Sequence, residues 1–173
     1  MELFRFTEGS LPLLVSMPHP GTYVPPEIEG RMTGAAKTVP DTDWHIPQLY
    51  DFLAELDVSV LQATHSRYVI DLNRAPDNRA LYAGASNTEL CPLQTFAMEE
   101  IYLPGEAPDE NEVAERREAY WQPYHDRLAE TLAAIKAKHG LALLWDAHSI
   151  RSEVPRFFEG RLPDLNLGTG DGS

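Results

Sequence analysis

The sequence has little cysteine, few basic residues and no long apolar run. The single cysteine, Cys91, excludes an intramolecular disulfide and suits a reducing compartment. Lys and Arg number 14 against 27 Asp and Glu, for a formal net charge of -13, which argues against a nucleic-acid backbone as partner. A small anionic substrate is compatible with this charge, because a few Arg side chains can make the potential in a cleft positive although the net charge of the protein is negative.

Targeting and membrane signals are also missing from the sequence. No stretch approaches the roughly 18 consecutive apolar residues of a membrane span. Residues 1–10 (MELFRFTEGS) have neither the basic nor the apolar region of a secretory signal. We therefore expect a cytoplasmic protein that does not bind a membrane. The sequence makes no prediction of the oligomeric state.

Four short apolar segments predict β-strands. They cover residues 11–17, 58–63, 68–72 and 141–145, and each is followed by proline or by polar residues. In a chain of 173 residues, 43% of them hydrophobic, strands that alternate with helices indicate a single domain of the α/β class. The expected architecture is a mixed, largely parallel sheet flanked by helices.

A first helix is predicted from Asp43, because the apolar residues that follow it recur at helical spacing. Asp41 or Thr42 is its candidate N-cap. Two stretches rich in proline and glycine, residues 22–34 and 75–109, are predicted to be largely loop.

A second, longer helix is predicted to begin after a cap at Asp109 and to stop at Gly140. Its apolar residues form one stripe along the helix. Glu112 and Arg116 are four residues apart on it, a spacing that predicts an ion pair worth about 0.2–0.5 kcal/mol.

Polar residues follow three of the predicted strands directly. His19 comes after the first, Asn73 and Arg74 come after the third, and Asp146 and His148 come after the last. Sites in open α/β sheets gather beyond the carboxyl ends of the strands. The three clusters therefore predict an active site at one edge of the sheet.

The residue types in these clusters suit a metal ion. His19 lies in a turn with prolines and a glycine, and an imidazole there can bind Zn²⁺, which also accepts carboxylate oxygen. His148 is the second candidate ligand. Asp43 is the preferred third ligand, with Asp41 and His45 as alternatives; either aspartate could instead cap the helix. Two histidines and a carboxylate also suit divalent metals other than zinc.

A second group of residues suits recognition of an anion. The planar guanidinium groups of Arg67 and Arg74 match a carboxylate, and Asn73 offers an amide beside them. Asp71 is placed to orient one of these arginines, and Asp146 is placed to orient His148. The alternative is a solvated strand end whose charges pair among themselves.

Five ordered stretches give the whole chain a resemblance to the N-formylglutamate deformylase (amidohydrolase) family, which is related in fold to the zinc carboxypeptidases and aspartoacylase. The stretches are residues 16–22 (SMPHPGT), 41–45 (DTDWH), 66–74 (SRYVIDLNR), 145–149 (WDAHS) and 163–169 (PDLNLGT). Each is weak alone, and their order along the chain makes the match specific. By this resemblance, His19, His148 and Asp43 hold zinc, and Asn73 and Arg74 read a substrate carboxylate.

The resemblance also implies a reaction, the hydrolysis of N-formyl-L-glutamate to formate and L-glutamate in histidine degradation. Arg67 would stabilise the oxyanion or help to bind the substrate. Asp146 would orient His148. The second carboxylate of the substrate needs a further cation, for which Arg67, Arg79 and Arg151 are the candidates.

The relatives place their catalytic glutamate late in the chain. We therefore expect residues 1–173 to be the N-terminal part of a longer domain, with a fold that is incomplete at its C-terminal end and a general base beyond Ser173. Two other functions stay open. One is a related zinc amidohydrolase that acts on another N-acyl amino acid or a peptide, and the other is an acidic α/β module without turnover.

Overall fold

A four-stranded sheet forms the centre of the computed structural model, which describes residues 1–79 and 88–168. The strands are β1 (Phe4–Thr7), β2 (Leu13–Met17), β3 (Ser59–Ala63) and β4 (Leu143–Asp146). Their order across the sheet is β1-β3-β2-β4. β2 runs parallel to both of its neighbours, and β1 is antiparallel to β3. The prediction of a mixed, largely parallel α/β sheet is confirmed.

Three of the four predicted strands are present, and one is wrong. Residues 68–72 form a turn rather than a strand. The Ser66 side chain accepts a hydrogen bond from the Tyr68 amide, and the Ser66 carbonyl accepts one from the Val69 amide. The segment is buried on all sides, and a buried turn shows the same continuous apolar pattern as a buried strand. The N-terminal strand β1 was not predicted.

The first predicted helix is much shorter than its apolar spacing indicates. It consists of α2 (Ile46–Leu49), which ends at Tyr50 and is followed by a 3₁₀ turn at Asp51–Glu55. His45 holds the N-cap position without a side-chain cap bond, so the prediction of Asp41 or Thr42 as the cap is wrong. The predicted loop at 22–34 contains the single helical turn α1 (Pro26–Glu29), and another 3₁₀ turn lies at Ala36–Thr38.

The long helix is confirmed, with one irregularity. It comprises α3 (Glu110–Arg116), a π-helical turn (Arg117–Trp121) and α4 (Gln122–His139). Asp109 caps it by accepting the Glu112 amide at 2.8 Å, and Gly140 ends it in the left-handed conformation with φ 80°. The predicted Glu112–Arg116 ion pair is present, and Arg116 is buried and also donates to the Val69 carbonyl.

Both faces of the sheet carry buried apolar side chains. On one face, Leu14 and Leu61 pack with Tyr124 and Ile135 of α4. On the other face, Val15 and Met17 pack with the short α2 segment and the 3₁₀ turn behind it. A third cluster lies under α1 and the segment at 68–72. These layers hold the carboxyl ends of β2 and β4 side by side, where His19 and His148 follow.

The last strand forms the outer edge of the sheet. Leu143, Leu144 and Trp145 of β4 are 59%, 46% and 42% exposed, although β4 pairs in register with β2. Exposed apolar residues at a strand edge are a surface on which further polypeptide can pack. Within residues 1–79 and 88–168, no helix has the length and hydrophobicity needed to cross a bilayer.

Candidate metal centre and the adjoining cleft

Three predicted ligands meet at the carboxyl edge of the sheet. One ligand atom from each of His19, Asp43 and His148 lies within 4.8 Å of the other two. His19 Nδ1 is 3.8 Å from Asp43 Oδ2, and His148 Nδ1 is 2.8 Å from the same oxygen. His19 and Asp43 are almost fully buried, at 2% and 3% exposure. The structure therefore brings together side chains that are far apart in the sequence.

The turn that carries His19 is held by its backbone. Gly21 lies so close to Thr64 and His65 that a Cβ at this position would overlap their backbone atoms. The His19 carbonyl accepts the Asp43 amide at 3.0 Å. Two candidate ligands are thus joined directly through the main chain, which limits their relative movement.

Asp71 determines which nitrogen of His19 is available. The Nε2 atom of His19 lies 2.8 Å from Asp71 Oδ1. Burial lowers the pKa of His19, and Arg67 and His19 hold the pKa of the Asp71 carboxyl well below its usual range in spite of burial. A neutral ring that donates from Nε2 to an ionised carboxylate keeps a lone pair on Nδ1, which faces the cluster.

His148 lies between two carboxylates. Its Nδ1 is 2.8 Å from Asp43 Oδ2, and its Nε2 is 3.3 Å from Asp146 Oδ2 and 3.3 Å from Asn73 Nδ2. Although burial opposes it, the hydrogen bonds to Asp146 and Asp43 raise the pKa of His148 to about 9. Asp146 is thus in contact with the nitrogen that points away from the cluster, where a ring-orienting partner belongs.

The donor set fits a divalent cation. Two imidazole nitrogens and a carboxylate oxygen are ligands that Zn²⁺ commonly takes. The hydrogen bonds to Asp146 and Asp43 raise the pKa of His148, so the surroundings of this ring favour a positive charge. A cation between His19, Asp43 and His148 would supply that charge in place of a proton. The Nε2 partners of both rings, Asp71 and Asp146, supply the outer hydrogen bonds that metal-binding histidines usually have.

Arg67 binds the carboxylates around the cluster. Its guanidinium donates to Asp71 Oδ2 at 2.6 Å, and its NH1 atom lies 3.9 Å from Asp43 Oδ1. The residue is only 7% exposed, and its guanidinium carbon lies 4.8 Å from the centre of the Phe96 ring. Asp71 contacts both His19 and Arg67, whereas the sequence predicted only that it orients one of the two arginines, Arg67 or Arg74.

The predicted Asn73–Arg74 pair divides between two environments. Asn73 is exposed and contacts His148, so it lies beside the metal cluster. Arg74 donates from Nε and NH2 to the Thr88 hydroxyl, at 3.1 Å and 2.7 Å. His45, one of the two alternative ligands, is exposed and contacts Gln48; none of its contacts in the described ranges reaches the cluster.

Asp41, the alternative ligand, does not join the cluster. Its Oδ2 atom accepts the Tyr68 hydroxyl at 2.6 Å and the Phe96 amide at 2.8 Å. Its Oδ1 atom is buried and has no hydrogen-bond partner among residues 1–79 and 88–168. This oxygen lies 3.7 Å from NH2 of Arg151, outside hydrogen-bonding distance.

A cleft of about 440 Å³ opens next to the cluster. Its walls include residues adjacent in sequence to two candidate ligands: Thr42 and Trp44 flank Asp43, and Ser149 follows His148. The Ser149 amide donates to Asp43 Oδ2 at 3.2 Å. The cleft volume is within the range of roughly 300–1,000 Å³ that is common for small-molecule sites.

Two residues that position the site were not predicted from the sequence. Trp121 donates from Nε1 to the Arg74 carbonyl at 3.0 Å, and His125 Nε2 lies 2.8 Å from the Leu72 carbonyl. Their rings stack with centroids 3.7 Å apart, next to the π-helical turn. They hold the backbone on both sides of Asn73. π-helical turns within α-helices are frequently found at functional sites. This one could have pointed to Trp121 and His125, but it is visible only in the structure.

Comparison with known proteins gives matches to a single family. Residues 11–173 match the family model described as N-formylglutamate amidohydrolase. The N-formylglutamate deformylase of Pseudomonas aeruginosa is 51% identical over 99% of this chain and 64% of its own length. That of Pseudomonas putida is 48% identical over the same shares.

One solved structure shows the likeness in fold. N-formylglutamate amidohydrolase from Ralstonia eutropha JMP134 matches with a TM-score of 0.74 at 23% identity, over 91% of this chain and 64% of that one. At this identity the likeness applies to the fold alone. The chain therefore spans about 64% of the length of the curated relatives that it matches.

Proposed function

The chain belongs to the N-formylglutamate amidohydrolase family, and on that premise we propose that it serves the metal-dependent hydrolysis of N-formyl-L-glutamate to formate and L-glutamate. The observation that carries the proposal is the convergence of His19, Asp43 and His148 on one point. We further propose that the ion is zinc, since this set of nitrogen and oxygen donors suits it.

Asp71 and Asp146 would orient the two histidines that hold the ion. When bound, a divalent cation supplies Lewis acidity that polarises a carbonyl group and acidifies water. Asp71 keeps the Nε2 proton of His19 in place, and Asp146 accepts at Nε2 of His148. Each ring would then offer Nδ1 to the ion in a fixed orientation.

Arg67 would act mainly by balancing charge. It pairs with Asp71 and lies near Asp43, and its charge holds the pKa of the Asp71 carboxyl below its usual range in a buried setting. We assign no general base within the described ranges, because each carboxylate at the cluster already has a task. Asp43 faces the ion, Asp71 holds His19 and Arg67, and Asp146 holds His148.

We propose that Asn73 and Arg74 read one carboxylate of the substrate. Asn73 lies at the cluster and its amide group is exposed. Arg74 follows it in the chain, and its guanidinium would turn from the Thr88 hydroxyl to reach a carboxylate beside Asn73. Stabilisation of a carboxylate by an amide and a guanidinium leaves the formyl group free to approach the metal position.

We also propose that the reaction takes place in the cytoplasm, as a step of histidine degradation. The proposed substrate, N-formyl-L-glutamate, would be formed inside the cell in that pathway. The buried free thiol of Cys91 suits a reducing compartment.

The metal part of the proposal is tested by measuring bound zinc and formate release in purified protein. His19→Ala and His148→Ala should each abolish stoichiometric zinc binding and formate release. His139→Ala is the matched control, because His139 lies in the last turn of α4 and is exposed. Unchanged zinc stoichiometry in both site variants would show that the metal site is elsewhere.

The substrate part is tested with three related amides. Formate or acetate release should be fastest from N-formyl-L-glutamate and slower from N-formyl-L-aspartate and N-acetyl-L-aspartate. Equal rates on all three would contradict the specific substrate, although not the hydrolytic chemistry.

A further inference from the structure

Asp41 lines the cleft beside the metal cluster, and it has a buried carboxylate oxygen that no described residue hydrogen-bonds. Asp41 is 4% exposed, and its Oδ2 atom is fully used by Tyr68 and Phe96. Its Oδ1 atom is buried, and NH2 of Arg151, another residue that lines the cleft, lies 3.7 Å from it. A buried carboxylate oxygen in this state attracts a cationic group toward the cleft.

Arg151 is the cation that this carboxylate holds. Its side chain is 57% exposed, and it makes no hydrogen bond within the part of the chain that the structure describes. A guanidinium has five N–H donors. The contact with Asp41 engages one edge of the group at most, and the other edge is available to a carboxylate that enters the cleft.

The remaining walls suit a short aliphatic chain. Trp44, Phe96 and Ile150 line the cleft, and the Phe96 backbone is fastened to Asp41. Asp41 therefore positions both an aromatic wall and the cation. The methylene groups of a glutamyl side chain can pack against such walls while the carboxylate extends to the guanidinium.

The other two cations considered for this task are engaged elsewhere. The Phe96 ring covers the Arg67 guanidinium, which is paired with Asp71. Arg79 is 79% exposed and pairs with Asp77, and it is not among the described residues that line the cleft. Arg151 is thus the cationic side chain among those lining residues.

We propose that Arg151, positioned by Asp41, binds the side-chain carboxylate of the N-acyl amino acid in this cleft and so determines the preference for glutamate. The inference rests on the proposed function of the neighbouring metal centre. It adds a specificity-determining residue to that site, and it places the amino-acid side chain between Trp44 and Phe96.

The test compares N-formyl-L-glutamate with N-formyl-L-glutamine, which has the same shape without the charge. The native protein should prefer the glutamate derivative. Arg151→Gln should lower kcat/KM for N-formyl-L-glutamate by about 10–100-fold, mainly through KM, because one charge-assisted bidentate contact is lost. The value for N-formyl-L-glutamine should stay nearly unchanged, so the preference disappears.

Arg127→Gln is the matched control, since it removes the same charge from an exposed position beside Glu130 on α4. It should keep the native preference. If Arg151→Gln also keeps the preference while formate is released normally, the inference is overturned and the proposed function stands.

A binding measurement separates the remaining outcomes. Calorimetric titration with the product L-glutamate should show weaker binding to Arg151→Gln than to the native protein, even if turnover is absent. Absent formate release from N-formyl-L-glutamate in the native protein, tested together with any residues that follow Ser173, would overturn the proposed function. Equal L-glutamate affinity in both proteins would overturn the role of Arg151.

Discussion

Asp71 connects three parts of the metal centre, and its replacement by asparagine is the sharpest test of the geometry. One oxygen of Asp71 contacts His19 Nε2 at 2.8 Å, and the other accepts from Arg67 at 2.6 Å. The first oxygen also accepts the Asn73 amide at 2.9 Å. Asp71→Asn keeps the size of the side chain but removes its charge.

The expected loss of stability is large because the partners are buried. Asp71 is 0% exposed and Arg67 is 7% exposed. Removal of one member of a buried ion pair leaves the other charge without compensation and costs about 3–5 kcal/mol. The asparagine oxygen can still accept one hydrogen bond, so we expect a loss near the lower end, about 3 kcal/mol. This corresponds to a fall in Tm of roughly 6–12 °C for a chain of this size.

The assay is urea unfolding of metal-free protein, followed by zinc titration of the folded protein. The stability should fall as stated, and zinc affinity should fall about 10–100-fold, because Asp71 no longer keeps the His19 ring in its metal-binding orientation. Asp77→Asn is the matched control. Asp77 is 58% exposed and pairs with Arg79 at the surface, so its loss should cost less than about 1 kcal/mol.

A double variant identifies the cause of the loss. Adding Arg67→Met to Asp71→Asn removes the buried charge that was left without a partner. Part of the lost stability should then return. Two results would show that the buried pair does not stabilise the site as described. One is a loss of unfolding free energy for Asp71→Asn that is no larger than the loss for Asp77→Asn. The other is a double variant whose loss equals the sum of the losses of Asp71→Asn and Arg67→Met measured separately.

Three further predictions test other parts of the structure. Gly21→Ala should destabilise the protein by about 2 kcal/mol or more, because the new Cβ would overlap the backbone at residues 64 and 65. Gly34→Ala is the control: a Cβ there meets none of the described atoms within 4 Å, so the unfolding free energy should change by less than about 0.5 kcal/mol. Glu112→Gln should cost about 1–2 kcal/mol at neutral pH. The hydrogen bond from Arg31 lowers the pKa of Glu112 below its ordinary 4.5, so this stabilisation is full above pH 4.5 and is lost as the pH falls through the lowered pKa; a loss that stays constant in acidic urea titrations would contradict it. Trp121→Phe should lower the unfolding free energy in urea by about 1 kcal/mol and raise KM, since the hydrogen bond to the Arg74 carbonyl is lost. An unchanged KM would show that this hydrogen bond does not contribute to substrate binding.

The elements predicted well are those whose pattern is local. β2, β3 and β4 follow from short apolar runs that end in polar residues, and the cap at Asp109 and the stop at Gly140 follow from local backbone chemistry. The rule that sites lie beyond parallel strand ends was enough to bring His19 and His148 together. Local patterns therefore predict which residue types the site contains and at which edge of the sheet it lies.

Tertiary structure decided which atoms meet. The segment at 68–72 is buried on all sides, so its composition resembles that of a strand, and only its surroundings distinguish it from a turn. Asp71 meets His19 across 52 positions of the chain, and Asp43 meets His148 across 105. Helix and strand periodicities relate residues only a few positions apart, so they cannot predict contacts at such separations. The shared use of Asp71 by a histidine and an arginine likewise depends on packing.

The sequence by itself therefore determined the class of the fold, the family resemblance and the side chains that can carry chemistry. The tertiary structure decided their pairing: which nitrogen of His19 faces the cluster, and why Arg67 is covered while Arg151 reaches a cleft. The physical reason is that hydrogen-bonding types and hydrophobic period are properties of neighbouring residues. Charge pairing and burial depend on distances through space, which exist only after the chain has folded.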